Sequence, residues 1–130
     1  MKSQWINHKG LQIFLIDLNG LTNHEIVLEM QEVERYLSQL PSRVVPALTD
    51  VRNIVVNQET LKIFKEHAPI MGEKLGHTAV VGIYGIRTYF LDIVNAISSL
   101  NTKPFNTPEQ AKDWLFATIR SKGTGAGDPK

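Results

Sequence analysis

The chain has 130 residues, of which 14 are Lys or Arg, 13 are Asp or Glu and none is Cys, for a formal net charge of +1. That length suits one domain of the usual roughly 100–200 residues, and a core of that size needs no covalent staple. A disulfide scaffold, a thiolate nucleophile and a Cys-based zinc or iron–sulfur site are excluded. The near-neutral charge argues against nucleic acid as a partner. The first residues lack an apolar signal core, and the longest apolar-rich stretch is broken by Arg87, Asp92 and Asn95. A cytoplasmic protein with at most peripheral membrane contact is therefore expected.

Trp5 and Ile6 are expected to pair, across the turn Asn7-His8-Lys9-Gly10, with a β-rich strand over 11–18. Thr22-Asn23-His24-Glu25 fits a capping box. The helix it opens carries Ile26, Met30, Val33, Leu37 and Leu40 on one stripe and ends at Pro41. Its other faces hold Glu25, Glu29, Glu32 and Glu34, which reads as a solvated surface that a basic partner could also use. A short strand is expected over 47–51, with Pro46 at its start or at a bulge. Asn57 caps a second helix, over 58–75, with Leu61, Phe64, Ala68, Met71 and Leu75 on one face and Pro69 inside it. That proline frees the carbonyl of Lys65 and is expected to kink the helix.

A doubly apolar strand is predicted over 78–84, ended by Gly85 and followed by an apolar helix over 86–100. Pro104-Phe105 is a last short strand. Thr107-Pro108-Glu109-Gln110 then opens a helix over 108–119 with Ala111, Trp114, Leu115 and Ile119 inward. Residues 1–119 thus form one domain, and 120–130, rich in Gly, read as a flexible tail. Alternating strands and helices predict an α/β fold with a mixed, mainly parallel sheet of four or five strands.

Few residues point to chemistry. His8, His24, His67 and His77 have no metal-ligand spacing, so neither a metal nor another cofactor is expected. Asp17 and Asp50 end two strands that can be neighbours, which makes a paired-carboxylate site conceivable beside the simpler role of capping turns. Gly82, Gly85 and Arg87 form a glycine-spaced segment between strand and helix that can hold an anion or merely allow a tight turn. No nucleophile–base pair stands out, and an enzyme is not expected.

Several segments together resemble the bacterial SpoIIAA-like proteins, which belong to the STAS class and are structurally akin to the CRAL-TRIO lipid-transfer fold. They are Gly20-Leu21-Thr22, Leu48-Thr49-Asp50, Ala79-Val80-Val81-Gly82-Ile83-Tyr84-Gly85 and the run from Phe105 to Leu115 (FNTPEQAKDWL). The resemblance covers roughly residues 3–117. It implies helices packed chiefly on one face of the sheet and a non-catalytic role in regulation or in binding apolar ligands. It also implies a switch region after the middle strand, made here of Asp50, Asn57 and Thr60. The family's serine is missing from Val55-Val56-Asn57-Gln58-Glu59-Thr60, and Glu59 opposes an added phosphate, so Thr60 is not expected to act as a phosphoswitch.

Two roles follow. The chain can be an interaction module that docks a protein partner or a second copy of itself. It can alternatively carry a lipid or other apolar small molecule in a cleft walled by Phe64, Pro69, Ile70, Met71, Phe90 and Val94. Helix 86–100 has more apolar surface than one sheet contact needs, which predicts a homodimer with Tyr89, Phe90 or Ile93 at the contact.

Overall fold

The computed structural model describes residues 1–41, 45–86, 90–97 and 102–125. A hairpin comes first, with β1 (Gln4–His8) antiparallel to β2 (Leu11–Asp17) across a turn in which Lys9 and Gly10 both take positive φ. Next come α1 (Asn23–Ser38), β3 (Val45–Asp50), α2 (Gln58–Gly72) and β4 (Leu75–Val81). A three-residue 3₁₀ turn (Ile83–Gly85), α3 (Phe90–Ala96), β5 (Thr102–Phe105) and α4 (Pro108–Gly125) complete the chain. The sheet has five strands in the order β1-β2-β3-β4-β5. It is mixed: β1 runs antiparallel to β2, and the pairings of β2 with β3, β3 with β4 and β4 with β5 are parallel.

Local chemistry accounts for the boundaries. Thr22 and Glu25 close the reciprocal cap of α1: the Glu25 N–H donates to Thr22 Oγ1, and the Thr22 N–H donates to Glu25 Oε1. Pro46 sits inside β3, and the register of β3 against β4 shifts between Val45 and Ala47. That irregularity accommodates a residue with no N–H to give to a ladder.

β4 begins at Leu75, three residues before the expected start, and ends at Val81. Leu75 continues the helical spacing of Met71, but Glu73 and Lys74 already close α2 by donating to Ile70 and Met71, so Leu75 enters the sheet instead. At the far end Gly82, not Gly85, stops the strand. Its φ is +113°, and a Cβ there would lie 2.8 Å from the Arg52 nitrogen. Of the expected helix 86–100, α3 covers Phe90–Ala96; residues 87–89 and 98–100 lie outside the described set. The helix expected over 108–119 runs on, and α4 reaches Gly125. A glycine costs a helix about 1 kcal/mol, which does not end it, and no proline intervenes before Pro129.

Helices cover both faces of the sheet. Phe14, Ile16, Ala47 and Val80 form one apolar cluster with Ile26, Val33 and Leu37 of α1, Phe64 and Met71 of α2, and Ile93 and Ala96 of α3. The alternate residues Ile13, Leu48, Ala79 and Val81 form a second cluster with Ala111 and Leu115 of α4. Successive strands are spatial neighbours, so crossovers of one hand carry the intervening helices to the same side. The other side is left for α4.

A buried acid fastens the hairpin to α1. Glu29, 7% exposed, accepts from the Lys2 and Ser3 N–H groups and from Ser3 Oγ at 3.0, 2.7 and 2.6 Å. Burial pushes its carboxyl up, but these donors outweigh it and hold the group below the usual glutamate range. Nearby, the Trp5 indole donates to Tyr36 Oη at 2.6 Å, and Phe14 packs against both rings, edge-on to Trp5 and stacked on Tyr36. Among the described residues no helix is long and apolar enough to cross a membrane.

Candidate functional site

The carboxyl ends of parallel strands are where open α/β sheets hold ligands, because the connections diverge there and leave a crevice. In this chain four strand ends meet at such a rim. Asp17 and Asp50 are direct register partners on β2 and β3, so the sequence's carboxylate pair is indeed adjacent. Each, however, is matched to a cation: Lys2 Nζ stands 3.1 Å from Asp17, and Arg52 Nη2 stands 2.8 Å from Asp50.

Asp50 is 7% exposed and takes four donors: the Arg52 N–H, Nε and Nη2, and Asn19 Nδ2. Burial raises its carboxyl, the Arg52 side-chain and backbone bonds lower it further, and the net result lies below the usual aspartate range. Such a carboxylate is a poor base. It is a good brace, holding the turn after β3 against the turn after β2. Asn53, in the left-handed region with φ +62°, extends the brace by donating to Asn19 Oδ1. Gly82 lets the β4 turn close onto the Arg52 backbone.

In front of this brace opens a cleft of about 460 Å³ lined by Arg52, Asn53, Ile54, Gly82, Tyr84, Ile86, Phe105 and Asn106. Its volume falls within the roughly 300–1,000 Å³ of small-ligand and anchor sites. Tyr84 is 46% exposed on its wall, and Val55, in the same loop as Arg52, is 80% exposed.

The switch residues form a closed unit beside the rim. Asn57 Oδ1 accepts the Thr60 N–H, and the Asn57 N–H donates to Thr60 Oγ1. Thr60 is fully buried, with its hydroxyl within hydrogen-bond reach of Asn23 Oδ1, Asn57 Oδ1 and the Val55 carbonyl. Asn23 belongs to α1, so this cap also ties α1 to α2. The glycine-spaced segment is not brought together as an anion cradle. Gly82 precedes and Gly85 ends a single 3₁₀ turn, and Arg87 lies outside the described residues.

The expected apolar cleft is a small interior cavity of about 40 Å³. It is lined by Phe64 and Met71 together with Ile16, Met30, Ala68, Val80, Ile93 and Ile97, with Thr49 and Thr102 among its few polar residues. Pro69, Ile70 and Val94 are exposed and do not line it. Ile93, expected at a dimer contact, is 1% exposed and faces this core, because it stands three residues before Ala96 on the buried side of α3. Among the described side chains of α3 the exposed apolar ones are Leu91 and Val94. Tyr89 lies outside the described residues, as does the side chain of Phe90.

Among the described residues no three His, Cys, Asp or Glu side chains are grouped to hold a metal ion. His67 pairs with Glu34 between α2 and α1, and His8 with Asp113 between the hairpin and α4. Both join one element to another. Neither family models, nor curated proteins, nor solved structures match this chain.

Arg52, Asn19, Asn53 and Tyr84 escaped the sequence reading. An Asp-x-Arg at a strand end, with Asn at two neighbouring turns, is the pattern that could have pointed to them.

Proposed function

We propose that this chain is a non-catalytic, SpoIIAA-like interaction module of the STAS class that docks a protein partner on the strand-end rim. The observation that carries this reading is an exposed aromatic, Tyr84, standing over an open cleft braced by the pairing of Arg52 with the buried Asp50. Aromatic anchors on a rigid base are what protein interfaces use, because little side-chain entropy is lost on binding. The rim carboxylates are already spent on donors, which suits a platform better than a reaction centre.

A photo-reactive phenylalanine analogue at Tyr84, compared with one at Lys9 on the opposite end of β2, tests this in cell extract. A discrete protein adduct is expected at Tyr84 alone, and Arg52→Ala should abolish it. Equal labelling at both positions, or none at Tyr84, would defeat the proposal.

A second reading, a carrier of a lipid or apolar small molecule, draws support from the apolar cavity beneath α2 and α3. At about 40 Å³ it is far too small for an acyl chain, so a fatty acid requires α3 to move off the sheet. Native mass spectrometry after incubation with palmitate decides it: one adduct per chain supports the carrier, and bare protein removes it. A homodimer remains part of the interaction reading, with Leu91 and Val94 as its contact on α3. Sedimentation equilibrium of Leu91→Asp against the parent chain tests that placement.

A further inference from the structure

The rim cleft does not stand alone. Beside β5 a second cleft, bordered by Lys103, shares Tyr84, Phe105 and Asn106 with it. On the other side a third, of about 310 Å³, shares Arg52. The third is lined by the aliphatic side chains of Ile6, Leu15, Leu48 and Val81, with Lys112 of α4 among its polar residues. Shared wall residues set the three clefts side by side in one run, from β5 past the ends of β4 and β3 and onto the edge of the α4-covered face at β2. Three strand spacings of about 4.8 Å give it a span of about 14 Å, the reach of five extended residues at about 3.4 Å each.

We infer that this groove binds a short extended segment of the partner protein, with one acidic residue between two apolar ones in the pattern apolar–x–acidic–x–apolar, an inference that rests on the docking reading above. In an extended segment residues i, i+2 and i+4 point to the same side, so three side chains enter the groove and two face water. Arg52 occupies the middle. A guanidinium carries five N–H donors. Two of them, on Nε and Nη2, go to Asp50, and the remaining three bond no group among the described residues. The side chain is 44% exposed, so that outer edge is accessible to an incoming carboxylate.

Charge along the groove favours the same sign of ligand. Lys103, Arg52 and Lys112 follow one another; Asp50 and Glu109 are paired with Arg52 and Lys112, and Asp17 beside Asp50 is paired with Lys2, which leaves Lys103 as the surplus positive charge. The apolar ends are equally defined: Tyr84 and Phe105 on one side of Arg52, Leu15 and Leu48 on the other.

The probe is a displayed library of random heptapeptides, selected on the full chain, with affinities of the enriched peptides then read by fluorescence anisotropy. The expected consensus has an Asp or Glu flanked at two residues on either side by apolar residues. Replacing that acid by its amide should weaken binding at least tenfold. Arg52→Lys, which keeps the charge and the pairing with Asp50 but loses the planar fork, should weaken it about tenfold as well. Gln31→Ala, at an exposed position of α1 away from the rim, should leave the affinity unchanged. Thermal melts of both variants establish that they are folded, and Lys112→Gln, expected to weaken binding severalfold, serves if Arg52→Lys is not.

A consensus without an acid, no enrichment at all, or affinity indifferent to both Arg52→Lys and Lys112→Gln would overturn the inference. If that happens while the probe at Tyr84 still captures a partner, the docking reading survives and only the segment is wrong. If both are silent, both fall.

Discussion

The interior cavity beneath α2 and α3 and the cleft at the strand ends differ about tenfold in volume, about 40 Å³ against about 460 Å³. They differ as much in what surrounds them. The first is walled almost entirely by aliphatic side chains and Phe64, and nothing in it can orient a ligand beyond two threonine hydroxyls. The second is framed by two asparagines, two aromatic rings and a guanidinium that a buried carboxylate holds in place. A small apolar hole is what imperfect packing leaves behind, whereas a braced polar rim requires several residues to agree in position. The contrast is between a by-product of the core and a surface built from four separate turns.

Substitutions can break that contrast or sharpen it. Phe64→Ala enlarges the cavity and should cost about 3–5 kcal/mol in urea denaturation, with rim binding unaffected. Stabilisation of this variant by a small apolar molecule such as benzene would show that the cavity can be made a site. Gly82→Ala acts at the rim: strain at positive φ plus overlap with Arg52 should cost at least about 2 kcal/mol and also weaken partner binding. Equal stability of the parent and Gly82→Ala would mean that the brace is looser than its geometry.

Glu29→Gln removes the charge that anchors the hairpin, away from both cavities, and should cost about 1.5 kcal/mol near neutral pH. Because the Glu29 and Asp50 carboxyls are both held below their ordinary range, each contributes stability above that range and loses it as the pH falls through and beneath it. Urea midpoints measured down an acid series should therefore fall less steeply for Glu29→Gln than for the parent. Asn57→Ala, which removes the cap of α2, should cost about 1 kcal/mol. Leu91→Ser should change stability by no more than about 0.5 kcal/mol, since Leu91 is 72% exposed.

The elements were legible where local chemistry and periodicity agreed. Thr22 and Glu25 announced α1, Asn57 announced α2, and Thr107 with Pro108 announced α4, because a cap is a short-range device written in a few consecutive residues. The start of β4 was not legible. Leu75 satisfies both the helical spacing from Met71 and the alternation of the strand, and only closure of α2 at Glu73 and Lys74 separates them. The rim was legible only in Asp50. Its other members come from turns after different strands, and their meeting depends on register, which places Asp17 beside Asp50 and Gly82 against Arg52. The outward direction of α3 was misread for a related reason. With apolar residues on most sides of that segment, the sequence does not say that Ile93 rather than Leu91 meets the sheet.

That α4 is, among the described residues, the helix covering the second face of the sheet has a consequence for the order of events during synthesis. Strands that neighbour one another in the chain also neighbour one another in space, so each new strand meets an edge already formed, and α1 to α3 can close the first core as they emerge. The second core cannot close in this way. Ile13, Leu48, Ala79 and Val81 stay open to water until the residues from Pro108 onward leave the ribosome, at about 5–20 residues per second. For the seconds this takes, the nascent chain is half a finished protein carrying one bare apolar sheet face, and a chain that stops before α4 would carry that face permanently.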